Sequence, residues 1–274
     1  MPYIEELFGL HGRVAVVTGG TGVLGGALCK ALARAGAKVA ILGRKRDVAE
    51  KLAAQIKSDG GSAMAVVADV LNISELRSAR QQIEKQLGAV HILINGAGGN
   101  IPVAVVPPDK TFFGMDVQEF KNVFDLNLTG TVITTQVFAE GMAAAKKGVI
   151  VNISSVTATR ALTRVAGYGA AKAAVNNFTP WLAVELAKKH GEGIRVNAIA
   201  PGFYLTAQNK DLLTNPDGSL TERGQLILKA TPFGRFGNPE ELCGTLLWLC
   251  SDASSFVTGV VVHVDGGYNA YGGI

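Results

Sequence analysis

Tyr168 and Lys172 stand four residues apart in Tyr168-Gly-Ala-Ala-Lys172, and Ser155 precedes the tyrosine by thirteen. On a helix, a four-residue step puts two side chains on one face, about one turn apart. The run from Gly148 to Ser155, G-V-I-V-N-I-S-S, reads as a buried strand that ends in two hydroxyls. Strand ends are where open α/β sheets place their chemistry. A serine from the strand end and a tyrosine and lysine from the next helix can therefore meet at one point. A free phenol, with a pKa of about 10, is a poor acid or base near neutrality. A cation held close favours the phenolate, and bringing the pKa to about 7 takes roughly 4 kcal/mol of differential stabilisation. A buried ammonium can supply much of that, while the serine hydroxyl holds a substrate oxygen against the tyrosine. A tyrosine and a lysine four apart also occur on ordinary helices, so this reading depends on what surrounds them.

The elements that must position these groups alternate along the chain. Short apolar strands are expected from Val14 to Thr18, Lys38 to Leu42, Ala63 to Val67, Val90 to Ile94, Val149 to Ile153, Arg195 to Ala200 and Val260 to Val264. Helical periodicity runs from Leu24 to Ala35, Arg46 to Ser58, Ile73 to Leu87, Val117 to Ala145, Ala166 to Lys189 and Pro239 to Cys250. Asn72 or Ser74 is the expected cap of the third helix and Asn238 of the last. Repeated β-α units with continuous apolar strands predict an α/β fold, doubly wound, with a mostly parallel sheet and helices on both faces. No linker divides residues 1–274, so a single domain is expected. The stretch 203–236 is polar and irregular and reads as a flexible lid over substrate.

Thr18-Gly19-Gly20-Thr21-Gly22-Val23-Leu24-Gly25 follows the first strand and opens the first helix. Gly20, Gly22 and Gly25 satisfy G-x-G-x-x-G in the strand-turn-helix setting that lets backbone approach a dinucleotide pyrophosphate. The second strand ends at Leu42-Gly43, where a site preferring NAD usually carries an acid for the ribose 2′-hydroxyl. Arg44, Lys45 and Arg46 follow, and arginine pairs well with phosphate. This favours NADP(H) over NAD(H), though the three cations could equally be a solvated helix start. Asp69 and Val70, after the third strand, are placed to meet adenine. Asn95, Gly96, Ala97 and Gly98 end the fourth strand, and their small size would let backbone pass close to a cofactor.

Bulk properties narrow the class. Of 274 residues, 48% are hydrophobic, enough for a sizeable core, and the formal net charge is only +4, which argues against nucleic acid as a partner. The three cysteines form no C-x-x-C pair, which suggests a reducing compartment. His11, His91, His190 and His263 show no metal-ligand spacing, so no metal is expected and the histidines read as structural or surface residues. No apolar run reaches membrane length and no leader is apparent, so a cytoplasmic location away from the membrane is the expectation.

Together these pieces resemble the short-chain dehydrogenase/reductase family. The residues that carry the likeness are Thr18 to Gly25, Asn95-Gly-Ala-Gly98, Asn127 in Phe-Asp-Leu-Asn-Leu, Ser155, Tyr168-x-x-x-Lys172, and Pro201-Gly202 with Thr206. The thirteen-residue step selects Ser155 over Ser154. The resemblance implies a Rossmann-type seven-stranded sheet and a homotetramer or dimer. It implies Tyr168 as general acid or base, with Lys172 lowering its pKa and holding the ribose hydroxyls. Ser155 would orient the substrate oxygen, Asn127 would anchor a water, and Thr206 would hold the cofactor carboxamide. One departure is Val23, where the family usually carries a glycine.

A closer likeness lies in Asn95-Gly-Ala-Gly-Gly-Asn100, Gly130 to Gln136, Ala200 to Asn209, Asp217 to Gly224 and the tail from Val264. These stretches resemble the D-mannonate oxidoreductase (fructuronate reductase) group within that family, which implies reversible reduction of D-fructuronate to D-mannonate. The residues give this separate support. Arg160 and Arg164 lie between the serine strand and the tyrosine helix, and a carboxylate suits a bidentate arginine. Asn100, Tyr204, Gln208 and Asn209 come from loops at the same sheet end and suit sugar hydroxyls. The arginines could instead face solvent or bridge subunits, and Lys110 and Arg235 are weaker candidates of the same kind. The same mechanism on a gluconate-type sugar acid, a polyol or a 3-oxoacyl thioester stays open. A nucleotide-binding sensor is the remaining class, against which the full set Asn127, Ser155, Tyr168 and Lys172 argues.

Overall fold

Seven strands form one parallel sheet in a computed structural model that describes residues 3–101, 104–107, 109, 111–206 and 209–273. They are β1 (Val14–Thr18), β2 (Lys38–Gly43), β3 (Ser62–Val67), β4 (Ile92–Asn95), β5 (Gly148–Ile153), β6 (Ile194–Pro201) and β7 (Val261–Val264). Their order across the sheet is β3-β2-β1-β4-β5-β6-β7. After a short α1 (Tyr3–Phe8), the covering helices are α2 (Val23–Arg34), α3 (Arg46–Ser58), α4 (Ile73–Leu87), α5 (Val117–Phe124), α6 (Gly130–Ala145) and α7 (Ala166–His190). Two further short helices, α8 (Lys210–Leu213) and α9 (Glu222–Lys229), precede α10 (Cys243–Cys250).

Both faces of the sheet are covered, which is why the strands read as unbroken apolar runs. Along β1, Ala15 and Val17 face one cluster with Leu28 and Leu32 of α2, Ile56 of α3 and Leu246 of α10. Val14 and Val16 face the opposite cluster with Leu76 and Ile83 of α4, Phe138 of α6 and Leu182 of α7. Helix ends follow their chemistry: the Asn72 side chain accepts from Ser74 N and Glu75 N at the start of α4. Asn238 and Glu241 form a reciprocal capping box before α10.

Strand order reverses between β1 and β4, so their carboxyl ends part and leave a crevice. Thr18 and Asn95 are partners in register there. The Thr18 hydroxyl donates to Ile94 O at 3.3 Å and accepts from Gly96 N at 3.1 Å and Ala97 N at 3.0 Å. One buried hydroxyl thus fixes how the two loops leave the sheet.

Two expectations are corrected. The segment 117–145 is helical throughout, as expected, but it is not a regular α-helix. Between α5 and α6 the chain widens into a π-helical turn at Asp125–Thr129, closed by Gly130 N donating to Asp125 O, and Asn127 sits inside it. Periodicity at 3.6 residues does not reveal one extra residue in a turn. Nor is 203–236 irregular: it carries α8 and α9 and an isolated bridge between Thr214 and Leu220. Gln208 and Lys110 lie outside the described residues. Among the described residues no helix is long and apolar enough to cross a membrane, and no group of three His, Cys, Asp or Glu is placed to hold a metal.

Replacing the Thr18 hydroxyl strands Ala97 N at the crevice and leaves Gly96 N with Ile94 O alone. Thr18→Val, nearly isosteric, is expected to lower unfolding stability by about 1–3 kcal/mol in denaturant titration. A change within error would show that the hydroxyl does not hold the crevice.

Candidate active site

Ser155, Tyr168 and Lys172 meet at the carboxyl edge of β5. Ser155 is the second residue past the strand and opens a 3-10 turn, its oxygen accepting from Thr157 N. Tyr168 is the third residue of α7 and Lys172 lies one turn further on, so the helix presents both to the strand end. The Lys172 ammonium is 4% exposed, donates to Ile153 O at 2.8 Å and lies 5.6 Å from the centre of the Tyr168 ring. Ser154 turns away, its hydroxyl donating to Lys172 O and to Asn176 Oδ1. The thirteen-residue step therefore selects the serine that faces the phenol.

The electrostatics differ from the expectation in one respect. Burial pushes the Tyr168 phenol above its usual value, and the Ser155 hydroxyl facing it pulls the other way. The same burial pushes the Lys172 ammonium, which lies over the ring, down to about 8. At neutrality that ammonium still carries most of its proton. A phenol beside a serine hydroxyl, with a buried cation over its ring, can exchange a proton with an oxygen held on the serine.

Asn127 is fully buried, and its amide is engaged. It donates to Gly99 O and Val123 O and accepts from Gly99 N, so the side chain holds the loop after β4. A Cβ at Gly98 would stand 2.5 Å from Asn127 Oδ1 and 3.2 Å from Lys172 Nζ, so only glycine lets this loop cross the cluster.

The glycine loop makes the matching cradle. Gly19 has φ +67°, and a Cβ there would stand 2.5 Å from Gly96 O; one on Gly25 would stand 2.2 Å from Gly19 O. Helix α2 starts at Val23 with Gly22 as its N-cap and no side chain on its free N–H groups. A helix N-terminus left open beside glycines fits a pyrophosphate. Val23 is in the helix with its side chain exposed, and a helical φ needs no glycine. Leu24 is half-buried and packs on the core below the loop. At the adenosine end, Gly43 is covered by Thr21, whose Oγ1 would stand 2.9 Å from a Cβ at 43. Arg44, largely exposed, comes within 3.9 Å of Asp69, with Lys45 exposed beside it. Pro201 and Gly202 pass against β7, where Gly202 N donates to Val264 O.

Several expected contacts are otherwise engaged. The Thr18 hydroxyl is held on the end of β4, as above. The Asn95 amide donates to Thr135 and Asn152 inside the sheet, and Val70 packs in the core. Tyr204, 4% exposed, donates its hydroxyl to Val264 O, and burial holds that phenol well above its usual value. Asn209 accepts from Thr206 N and Oγ1 and donates to Tyr204 O, so it ties the loop rather than facing substrate. Arg160 donates to Asn269 O and Tyr271 O, and Thr159 donates to Asn269 Oδ1: this arginine anchors the C-terminal tail. Arg235 pairs with Glu241. Asn100 is exposed and Arg164 is half-buried.

The sequence did not single out Arg223, which reaches from α9 to Thr163. Its only signal is its place in the Asp217 to Gly224 stretch of the resemblance. Nor did it show the cleft of about 490 Å³ between α9, the Arg160 segment and the tail, lined by Arg160, Leu226, Lys229, Tyr268 and Tyr271.

Known proteins are similar to this chain in sequence and fold. A family model described as enoyl-(acyl carrier protein) reductase matches residues 21–269. The chain belongs to the short-chain dehydrogenase/reductase family. It is 48% identical to the uncharacterized oxidoreductase UxuB of Bacillus subtilis over 97% of this chain and 98% of that one. A solved structure from Haemophilus influenzae, named as a candidate D-mannonate oxidoreductase and holding NAD, superposes with TM-score 0.92 at 43% identity, over 97% and 98% of the two chains. A gluconate 5-dehydrogenase from Burkholderia cenocepacia, in complex with NADP and tartrate, gives TM-score 0.87 at 33% identity, over 98% and 100%. The protein is thus an NAD(P)-dependent dehydrogenase/reductase on a Rossmann-like fold.

Lys172 gives this family member a testable pH signature. Its folded pKa, about 8, lies below the ordinary 10.5. Between those values the unfolded chain holds the proton and the folded chain has released it, so the lysine's contribution to stability rises with pH across that window. The stability of wild type relative to Lys172→Met should therefore increase between about pH 7.5 and about pH 10 in denaturant unfolding. A difference independent of pH would mean that the ammonium is not desolvated.

Proposed function

We propose that this protein interconverts a secondary alcohol and a ketone on a sugar acid, with D-mannonate and D-fructuronate as the favoured pair. The observation that carries the reading is the Ser155–Tyr168–Lys172 cluster, joined through its own connecting segment to a cleft walled by Arg160 and Lys229. A site for long acyl chains would be lined more uniformly by apolar side chains. The likeness to a candidate D-mannonate oxidoreductase and to a gluconate 5-dehydrogenase supports the same substrate class.

A nicotinamide cofactor would supply the hydride when bound. Ser155 orients the carbonyl oxygen, and Tyr168 gives that oxygen its proton on reduction and takes it back on oxidation. Lys172 holds the ribose hydroxyls and adds positive charge beside the phenol. Asn127 keeps the Gly98–Gly99 loop against Lys172, and the Thr206 loop closes the nicotinamide end. The open N-terminus of α2 and the glycines at 19, 20, 22 and 25 take the pyrophosphate, with Gly96 and Ala97 beneath. Gly43 leaves no acid for the ribose 2′-hydroxyl. Arg44, whose contact with Asp69 is long and exposed, is free to exchange it for a 2′-phosphate, which favours NADP(H).

The lid, residues 203–236, closes over the substrate and excludes water. Phe112, Phe113, Val117, Trp181 and Val184 leave an apolar surface exposed on and beside α5 and α7, which suits a homotetramer or dimer. Three free cysteines, two of them buried, suit a reducing cytoplasm.

Initial rates of reduction, measured by cofactor absorbance on a panel of D-fructuronate, 5-keto-D-gluconate, D-fructose and a 3-oxoacyl thioester, test the substrate class. The carboxylated sugars should be reduced fastest, D-fructuronate above the others, and faster with NADPH than with NADH. Preference for the thioester or the uncharged sugar would overturn the reading.

A further inference from the structure

Arg223 sits in the first turn of α9 and crosses from the lid to the segment that leads into α7. Its Nη1 donates to Thr163 Oγ1 at 3.1 Å, and Nη2 lies 3.4 Å from Thr163 O. The next residue along that segment is Arg164, two residues before α7 begins and four before Tyr168. Arg164 has φ 77°, one of two non-glycine residues with positive φ among those described, and its carbonyl accepts from Val106 N. A side chain held in the left-handed region is strained and persists only where its surroundings fix it.

Both arginines are half-buried. Among the described residues, neither forms an ion pair with a carboxylate. Burial holds the Arg223 guanidinium below its ordinary value, and the Arg164 charge adds to that. Two partly desolvated like charges without a counter-ion are unfavourable, and an anion between them removes the penalty. Guanidinium groups match the planar, bidentate geometry of a carboxylate. Arg160, earlier in the same connecting segment, already holds the tail.

We propose that Arg164 and Arg223 form the carboxylate clamp of the substrate site, one from the loop before α7 and one from the lid. The inference rests on the sugar-acid reading and deepens it. The substrate's acid group bridges the lid to the segment that carries Tyr168, so lid closure and substrate charge are linked. A neutral sugar lacks the bridge.

The test is steady-state oxidation of D-mannonate, with calorimetric titration of D-mannonate into the cofactor-loaded protein. Wild type is compared with Arg223→Gln, Arg223→Lys and Arg164→Gly. Both Arg223→Gln and Arg164→Gly should raise the KM and the dissociation constant for D-mannonate roughly tenfold to a hundredfold, as for loss of one charge-assisted hydrogen-bonded contact. Their kcat should fall by much less, and cofactor affinity should stay unchanged. Arg223→Lys should recover part of the loss. Arg164→Gly also relieves the left-handed strain, so its Tm should equal or exceed that of wild type, which separates lost recognition from lost folding. Wild-type turnover of D-mannonate with unchanged KM in both variants would overturn the clamp and leave the sugar-acid reading standing. Wild type that neither oxidises nor binds D-mannonate or D-gluconate would overturn both.

Discussion

Gly19 and Gly96 come so close at the carboxyl ends of β1 and β4 that a Cβ on Gly19 would stand 2.5 Å from the Gly96 carbonyl oxygen. Everything at the site depends on that approach. It occurs where the strand order reverses, and the Thr18 hydroxyl pins it from inside. Above it the glycine loop leaves the start of α2 open. Beside it the loop from Asn95 to Gly99 crosses to Asn127 and Lys172. A larger side chain at Gly19 or Gly98 would force these pieces apart, and the glycine loop and the Ser155–Tyr168–Lys172 cluster would no longer share an edge.

The cluster itself is a compromise between burial and charge. Lys172 is desolvated to a pKa of about 8 and is steadied by one backbone carbonyl and the face of a tyrosine. Tyr168 is desolvated too, and the protein alone raises its pKa. An oxidised nicotinamide would bring a second positive charge there and favour ionisation of the phenol. The π-helical turn at Asn127 serves the same cluster, because it sets the buried amide against the Gly99 backbone on both its donor and acceptor sides.

The fold and the cluster were legible because both are written locally. Apolar runs of five or six residues, glycines where backbone approaches backbone, and a tyrosine and lysine one turn apart carry their meaning in spacing. What was not legible depends on partners far along the sequence. Arg160 is free in sequence but meets Asn269, 109 residues on. Tyr204 looks like a hydroxyl for a sugar and instead reaches Val264, 60 residues on. Arg223 lies in the Asp217 to Gly224 stretch of the resemblance, but only the packing of α9 brings it to Thr163. The extra residue that widens the turn at Asn127 leaves hydrophobic periodicity almost unchanged, so it too was invisible.

The claim on which the account turns is that Tyr168 exchanges the proton while the rest of the site binds and orients. The most direct measurement is single-turnover reduction of D-fructuronate by Tyr168→Phe, with cofactor binding followed in parallel by fluorescence. Cofactor affinity should be unchanged and the rate lower by about two decades or more, the usual range for loss of a general acid or base. A Tyr168→Phe protein that reduces the substrate at the wild-type rate would contradict it.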